Sequence, residues 1–267
     1  MSRKKSNRKK KKLTNAQRFR KVFIISLIVF TILGMGIVYV YRILDKMNPV
    51  DIPTDDESLG ITEDVIDNKN IINIALFGID RRSAAEIGRS DSIMIATLDK
   101  ENKKIKLTSL LRDLYVNIPG RGMDKLGHAY AFGGPELAIK TINQNFKMNI
   151  REFATVDFDS FEKIIDIMGG IEIDIKPKEV KYAKVSAPGT QLLNGKQALA
   201  YSRIRKVGTD YARTERQRLV LEKVIEKGMK AGVAQYPRLL NAVLPHVDTS
   251  ISKTEALSLG TSTITSR

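Results

Sequence analysis

Residues 22–41, "VFIISLIVFTILGMGIVYVY", run for twenty positions without a charge, and no other feature restricts the folding of the chain as strongly. As a helix such a run is about 30 Å long, the thickness of a bilayer's hydrocarbon core. It has no polar face, so it is a poor candidate for a helix packed inside a soluble domain. A cleaved signal peptide is the competing reading. The apolar run exceeds a usual signal core, however, and the following "YRILDKMNPVD" lacks a small-x-small cleavage pattern. An uncleaved single-pass anchor is therefore expected over residues 22–41, with Tyr39 and Tyr41 at headgroup level.

Residues 1–21 carry eleven Lys or Arg and no acid. This predicts a cytoplasmic basic tail and places everything after Arg42 outside the cell membrane. It also changes the meaning of the net charge, +15 over 267 residues. Without those eleven, 34 basic residues face 30 acidic ones, a net of +4. The charge is mainly a topology signal with some attraction for anionic lipid, and no nucleic-acid partner is expected. The chain has no cysteine, which excludes disulfides, thiolate metal sites and thiol nucleophiles. An external domain of this kind rests on its own apolar core, and some 200 residues suffice for one.

Residues 42–70 are acidic, hold two prolines and show no sustained apolar period, which reads as an extracellular linker. The folded part is expected over 71–267, with its chemistry-bearing core in 71–230. "IINIALFGID" has the length of a buried strand, and "SIMIATLD" and "KIKLTSLL" flank the polar "KENK" as a hairpin. "GGPELAIKTINQNF" reads as a helix with Pro135 just inside its start. "REFATVDF" (strand), "DSFEKIIDIMGG" (helix) and "IEIDI" (strand) follow. "KQALAYSRIR" is expected to end as a strand, and "YARTERQRLVLEKVIEKGMK" is a long helix. "SKTEALSLG" begins a further helix with Ser252 or Thr254 near its cap. Strands interleaved with helices define the expected fold class: α/β, a mixed central sheet sandwiched by helices, preceded by one transmembrane helix.

The stretch "YSRIRKVGTDYARTERQR" concentrates five arginines. If "YSRIR" is a strand, Tyr201, Arg203 and Arg205 share a face. Asp210 is the expected N-cap of the next helix, on which Arg213, Arg216 and Gln217 lie together. Arginines in a first helical turn oppose the helix dipole unless an anion docks there, and their planar fork suits phosphate. Salt bridging to Glu215, Asp210 or other acids is the plainer alternative. Asp80 ends the first strand and Asp91 opens the next; paired, those strands bring together two carboxylates of the kind that hold Mg²⁺ with substrate phosphate. The plainer alternative is that Asp91 caps a turn while Asp80 pairs with Arg81 or Arg82. Arg112 in "SLLRDLY" leaves a strand end, where α/β sheets often place ligand-binding groups. "DKLGHAYAFGGPE" looks too turn-rich for core and is expected at a rim or hinge, with His128 a base or a structural residue.

Taken in order, "FGID", "GRSDSIMIATLD", "SLLRD", "DKLGHAYAFGG", "VDFDSFEKIIDIMGGIEIDI", "LNGKQALAYSRIR" and "DYARTERQR" resemble the LytR-CpsA-Psr family over residues 71–230. The resemblance implies a membrane-anchored transferase. Such an enzyme moves wall teichoic acid, capsule or a related glycopolymer from a polyprenyl pyrophosphate carrier to peptidoglycan, at the C6 hydroxyl of N-acetylmuramic acid. It implies Asp80 and Asp91 as ligands of Mg²⁺ (or Mn²⁺). It also implies Arg81, Arg112, Arg203, Arg205 and Arg213 on the pyrophosphate, with Lys125, Asp210 and Gln217 completing the site. Asp80 and Asp210 are both candidates for taking the acceptor's proton. The family's domain usually continues past the motif helix, so the short C-terminus is expected to be a truncation or a short natural form. A carrier-lipid hydrolase and a precursor-binding regulator are the alternatives.

Overall fold

The structure, a computed structural model, describes residues 15–66, 68–81, 87–232 and 235–264. Most of the basic tail, and Arg82, lie outside the described residues. The chain divides into two compact units, Met1–Arg42 and Ile43–Arg267. Helix α1 (Asn15–Leu44) contains the uncharged run. Ser26–Leu44 is long and apolar enough to cross a membrane, with mean hydropathy 2.1, and Leu27, Phe30 and Ile37 on it are exposed.

The second unit begins with β1 (Asn48–Pro49), β2 (Ile71–Asp80), β3 (Arg89–Asp99) and β4 (Lys104–Leu110). There follow β5 (Tyr115–Ile118), β6 (Gly122–Lys125), α2 (Leu126–Phe146), β7 (Glu152–Asp157), α3 (Phe158–Ile167) and β8 (Ile171–Ile175). The chain continues through α4 (Val180–Ala183), β9 (Gly189–Leu193), α5 (Gly195–Ser202), α6 (Asp210–Lys230), α7 (Tyr236–Val243), β10 (Asp248–Thr249) and α8 (Lys253–Ile264). The central sheet has the order β1-β10-β7-β2-β3-β4 and is mixed, as the sequence led one to expect: β2 runs antiparallel to β3 and parallel to β7. β5–β6 and β8–β9 form separate antiparallel ribbons.

Alternation along the strands sends their side chains to two helical layers. Ala75, Phe77, Ile79, Ile93, Ile95 and Phe153 face α2, whose Leu126, Tyr130, Ile139 and Ile142 close the main core. There the Phe77 ring lies 5.1 Å from that of Tyr130. Across the sheet, α3, α5, α6 and the β8–β9 ribbon build a second core around Ile165, Ile173, Tyr201 and Val220.

Four expectations are corrected. The stretch read as a linker is folded onto the domain: β1 pairs with β10, Leu59 is fully buried, and Val50, Ile52 and Ile61 pack on the main core. Its apolar residues are isolated, and only tertiary contact gives each a place. The segment "DKLGHAYAFGG" is only in part a rim: running from β6 into α2, it buries Leu126, Ala129 and Tyr130 in the core while Lys125 and His128 line a pocket; Gly133 and Gly134 interrupt that helix and Pro135 opens its second half. "YSRIR" is not a strand. Asn194 and Gln197 form a capping box that starts α5, Tyr201 and Ser202 end the helix, and Arg203 is its C-cap. On α6, Thr209 is the N-cap, accepting from Ala212 N, and Asp210 is the first helical residue. Ser252 does cap α8, its Oγ accepting from Glu255 N at 3.2 Å.

Candidate functional site

The site grows out of an irregularity in the β2–β3 ladder. Gly78 pairs with Ser92, but Ile79 pairs with Ser90, so Asp91 is an extra residue with no partner opposite. Such a bulge bends its strand and re-aims a side chain. Here it places Asp91 with Asp80 on the lining of one polar pocket of about 810 Å³. Gly88, at φ +73, makes the return into β3, where a Cβ would lie 2.8 Å from the Asp80 carbonyl oxygen. The opposite wall comes from the segment after β4. The N–H of Gly127 donates to the Arg112 carbonyl and that of Leu126 to the Leu114 carbonyl, each at 2.8 Å. This close approach of α2 requires a glycine, since a Cβ on Gly127 would be 3.0 Å from the Ser90 carbonyl oxygen.

Arg112 reaches across the pocket to the Asp91 carboxylate through Nη1, and its Nε is 3.4 Å from Asp113 Oδ2. Lys125 Nζ lies 3.0 Å from Asp113 Oδ1. Burial lowers the Arg112 pKa, but Asp91 and Asp113 outweigh it and carry it above the usual value. Lys125 holds the Asp113 carboxyl below its ordinary range. Arg205, which follows α5, lines the same pocket.

Arg213, one turn into α6, is the unsatisfied member of this set. It is 5% exposed, its Nη1 is 3.2 Å from Asp210 Oδ1, and its buried Nε has no hydrogen-bond partner. Burial, then the charge of Arg112 and, less strongly, that of Arg205, depress its pKa. A buried cation pressed by two like charges is costly unless an anion joins them.

An apolar cavity of about 160 Å³ abuts the polar pocket. Ser92 lines the cavity and Asp91 the pocket; Gly78 and Asp80, and Arg203 and Arg205, divide in the same way. The cavity lies between the small residues Gly78, Ser92 and Ala154 of the sheet and Phe158, Phe161 and Leu221 of the helices. Arg203 and Gln217 line it together with Ser92 and Ser202; the Arg203 guanidinium sits 4.4 Å over the Phe158 ring.

The structure thus brings Asp80, Asp91, Arg112, Lys125 and Arg205 around one pocket, with Arg213 in electrostatic contact and Arg203 and Gln217 at the adjoining cavity. Arg81 does not join them. It continues the alternation of β2 toward the α2 face, where Asp157 holds its Nε and Nη2 at 2.8 Å and Asp248 its Nη1 at 3.1 Å. Arg216 is structural: Nε bonds Glu179 at 2.8 Å, and Nη1 and Nη2 bond the carbonyls of Ile204 and Val207. Arg218 pairs on the surface with Glu215 and Glu222. Sequence reasoning missed Asp113 and Phe158. Asp113 had a visible signal, directly after Arg112, whereas the stacking of Phe158 under Arg203 joins residues 45 positions apart.

Comparison with known proteins points to one family. The sequence model of the LytR_cpsA_psr family matches residues 38–266. The polyisoprenyl-teichoic acid–peptidoglycan teichoic acid transferase TagU of Bacillus mycoides is 32% identical over 241 residues, which is 86% of this chain and 79% of that protein. A structure of TagT bound to LIIa-WTA superimposes with a TM-score of 0.62 at 30% identity, covering 73% of this chain and 75% of the other. Another, with bound octaprenyl pyrophosphate lipid, gives 0.59 at 29% identity over 73% of each chain.

Proposed function

This chain belongs to the LytR_cpsA_psr family, and from that premise and the site we propose that it transfers an anionic glycopolymer from a polyprenyl pyrophosphate carrier to peptidoglycan. The observation that carries this reading is Arg213: a buried guanidinium with an unpartnered Nε, beside Arg112 and Arg205, next to an apolar cavity. A pyrophosphate on a prenyl chain has the complementary chemistry, two adjoining anionic groups ending an apolar tail. The cavity is too small for a whole carrier, so it takes the isoprenoid units next to the pyrophosphate.

Arg112, Arg205 and Arg213 orient and neutralise the pyrophosphate, with Arg203 at the mouth of the apolar cavity and Lys125 at the pocket rim. The acceptor hydroxyl, at C6 of N-acetylmuramic acid, attacks the polymer-side phosphorus. The anhydride P–O bond breaks and polyprenyl phosphate departs, its new charge held by the same arginines. The donor set also fits Mg²⁺ or Mn²⁺: among the described residues no three His, Cys, Asp or Glu cluster, but Asp80 and Asp91 supply the two carboxylates such an ion needs when phosphate and water complete its shell. When bound, the ion would supply Lewis-acid stabilisation of the phosphate oxygens. In this reading α1 anchors the protein beside its bilayer-borne donor, with the domain outside the cell.

Incubating the full chain with lipid-linked teichoic acid precursor, peptidoglycan oligomers and Mg²⁺ tests the proposal. Wild type is expected to form phosphodiester-linked polymer, and Arg112→Ala to lose about 100- to 1,000-fold in turnover. Unimpaired transfer by Arg112→Ala sinks this assignment, and phosphate release without polymer attachment points to a hydrolase instead.

A further inference from the structure

The transfer reaction needs a group to take the proton of the acceptor hydroxyl, and the carboxylates beside the arginines are poorly suited to it. Asp91 is bonded to Arg112, Asp210 is paired with Arg213, and Asp80 is the remaining candidate cation ligand. An ordinary carboxylate also titrates well below neutral pH, which makes it a weak base there. The pocket also holds one imidazole. It belongs to His128, in the first half of α2.

His128 Nδ1 lies 3.0 Å from Oδ1 of Asp124, four residues back in β6. Asp124 also accepts from the Lys125 N–H at 2.7 Å. His128 and then the Lys125 N–H hold its carboxyl below the ordinary range, so it is ionised and accepts only. The imidazole must therefore donate through Nδ1, which leaves Nε2 as the ring nitrogen with a free lone pair when the ring is neutral. The Phe132 ring packs edge-on, with centroids 5.9 Å apart, and fixes the ring from one side. The other charged groups of the pocket are Asp80, Arg89, Asp91, Arg112, Asp113, Lys125 and Arg205, four cations against three acids.

We propose that His128, oriented by Asp124, is the general base of the transfer: its Nε2 accepts the proton of the acceptor hydroxyl. This rests on the reading given under Proposed function. The proton moves to Nε2 as the oxygen bonds to phosphorus and the anhydride P–O bond breaks. The imidazolium then returns it to solvent or to the departing polyprenyl phosphate, so that charge and atoms balance. In this arrangement Asp124 is a positioning residue, and the carboxylate–imidazole pair sets the tautomer as it does in hydrolase triads.

Steady-state transfer by the full chain, measured from about pH 5 to pH 9, reads the titration of the base. Binding of octaprenyl pyrophosphate reads the donor site separately, and thermal unfolding reads the fold. Wild-type turnover is expected to rise with pH along a single acid limb. His128→Gln should lose about 100-fold or more of turnover, together with that acid limb, at unchanged donor affinity and melting temperature. Asp124→Asn should keep the limb but move it to lower pH and slow turnover about tenfold, since the imidazolium loses its partner. The assignment is overturned if His128→Gln transfers within about threefold of wild type, or if it slows while keeping the wild-type limb. Wild type that binds donor yet transfers nothing would sink the functional reading itself, a separate outcome.

Discussion

The two faces of one sheet are built to opposite ends, and neighbouring residues on β7 show it best. Phe153 is fully buried against Ala75, Phe77 and the α2 helix, in the main apolar core. Ala154, the next residue, points the other way and lines the cavity with Gly78 and Ser92. Protein interiors are normally close-packed, so the gap left beside Gly78, Ser92 and Ala154 departs from the packing around it. The same division separates two arginines. Arg81, on the packed side, has its guanidinium satisfied by Asp157 and Asp248; Arg213, toward the open side, keeps an unpartnered Nε. Close packing and the apolar cavity thus lie on opposite faces of the same strands.

Paired substitutions on β7 put that contrast at risk. Phe153→Ala should destabilise the domain by about 3–5 kcal/mol, seen as a lower urea midpoint at an unchanged slope. A loss below about 1 kcal/mol would mean that this face is not the dominant core. Ala154→Phe should do the reverse: stability should change by less than about 1.5 kcal/mol while octaprenyl pyrophosphate binding weakens at least tenfold, about 1.4 kcal/mol. Unchanged binding would show that lipid does not enter this cavity.

The smallest effect concerns acid. Burial raises the Asp157 pKa, but the Ser160 N–H and Arg81 outweigh it and hold the carboxyl below its ordinary value of 3.8. A carboxyl depressed in the folded state stabilises above its unfolded pKa and gives up that stability as pH falls through the folded value. Stability should therefore decline from about pH 4 downward. Asp157→Asn should be less stable at neutral pH and lose less on acidification, and parallel pH profiles for the two proteins would refute the linkage.

Much of this was legible from the residues because it is local. Apolar runs bounded by Gly, Asp and "KENK" marked β2, β3 and β4, and the period of α6 survived its basic first turns. "YSRIR" failed because five residues of alternation match the end of a helix as well as a strand; the capping box at Asn194 and Gln197 decided. "DKLGHAYAFGG" failed because its glycines signal a turn, whereas Gly127 serves a close approach and Gly133 and Gly134 a break inside α2. Arg81 and Arg112 were indistinguishable as residue types beside acids; which carboxylates reach each depends on strands distant in sequence.

Composition, apolar period and motif order suffice to read an uncharged membrane-length segment, an α/β domain and a family of envelope transferases. They also pick out most of the residues around the pocket, because these are properties of short stretches. Tertiary structure alone decided that the supposed linker folds onto the core and that a one-residue bulge frees Asp91. It likewise decided that Arg81 is consumed by the fold and that Arg213 is buried with a donor to spare. Each of those depends on which distant segments meet, and a buried charge takes its meaning from the partners that reach it rather than from its own residue type.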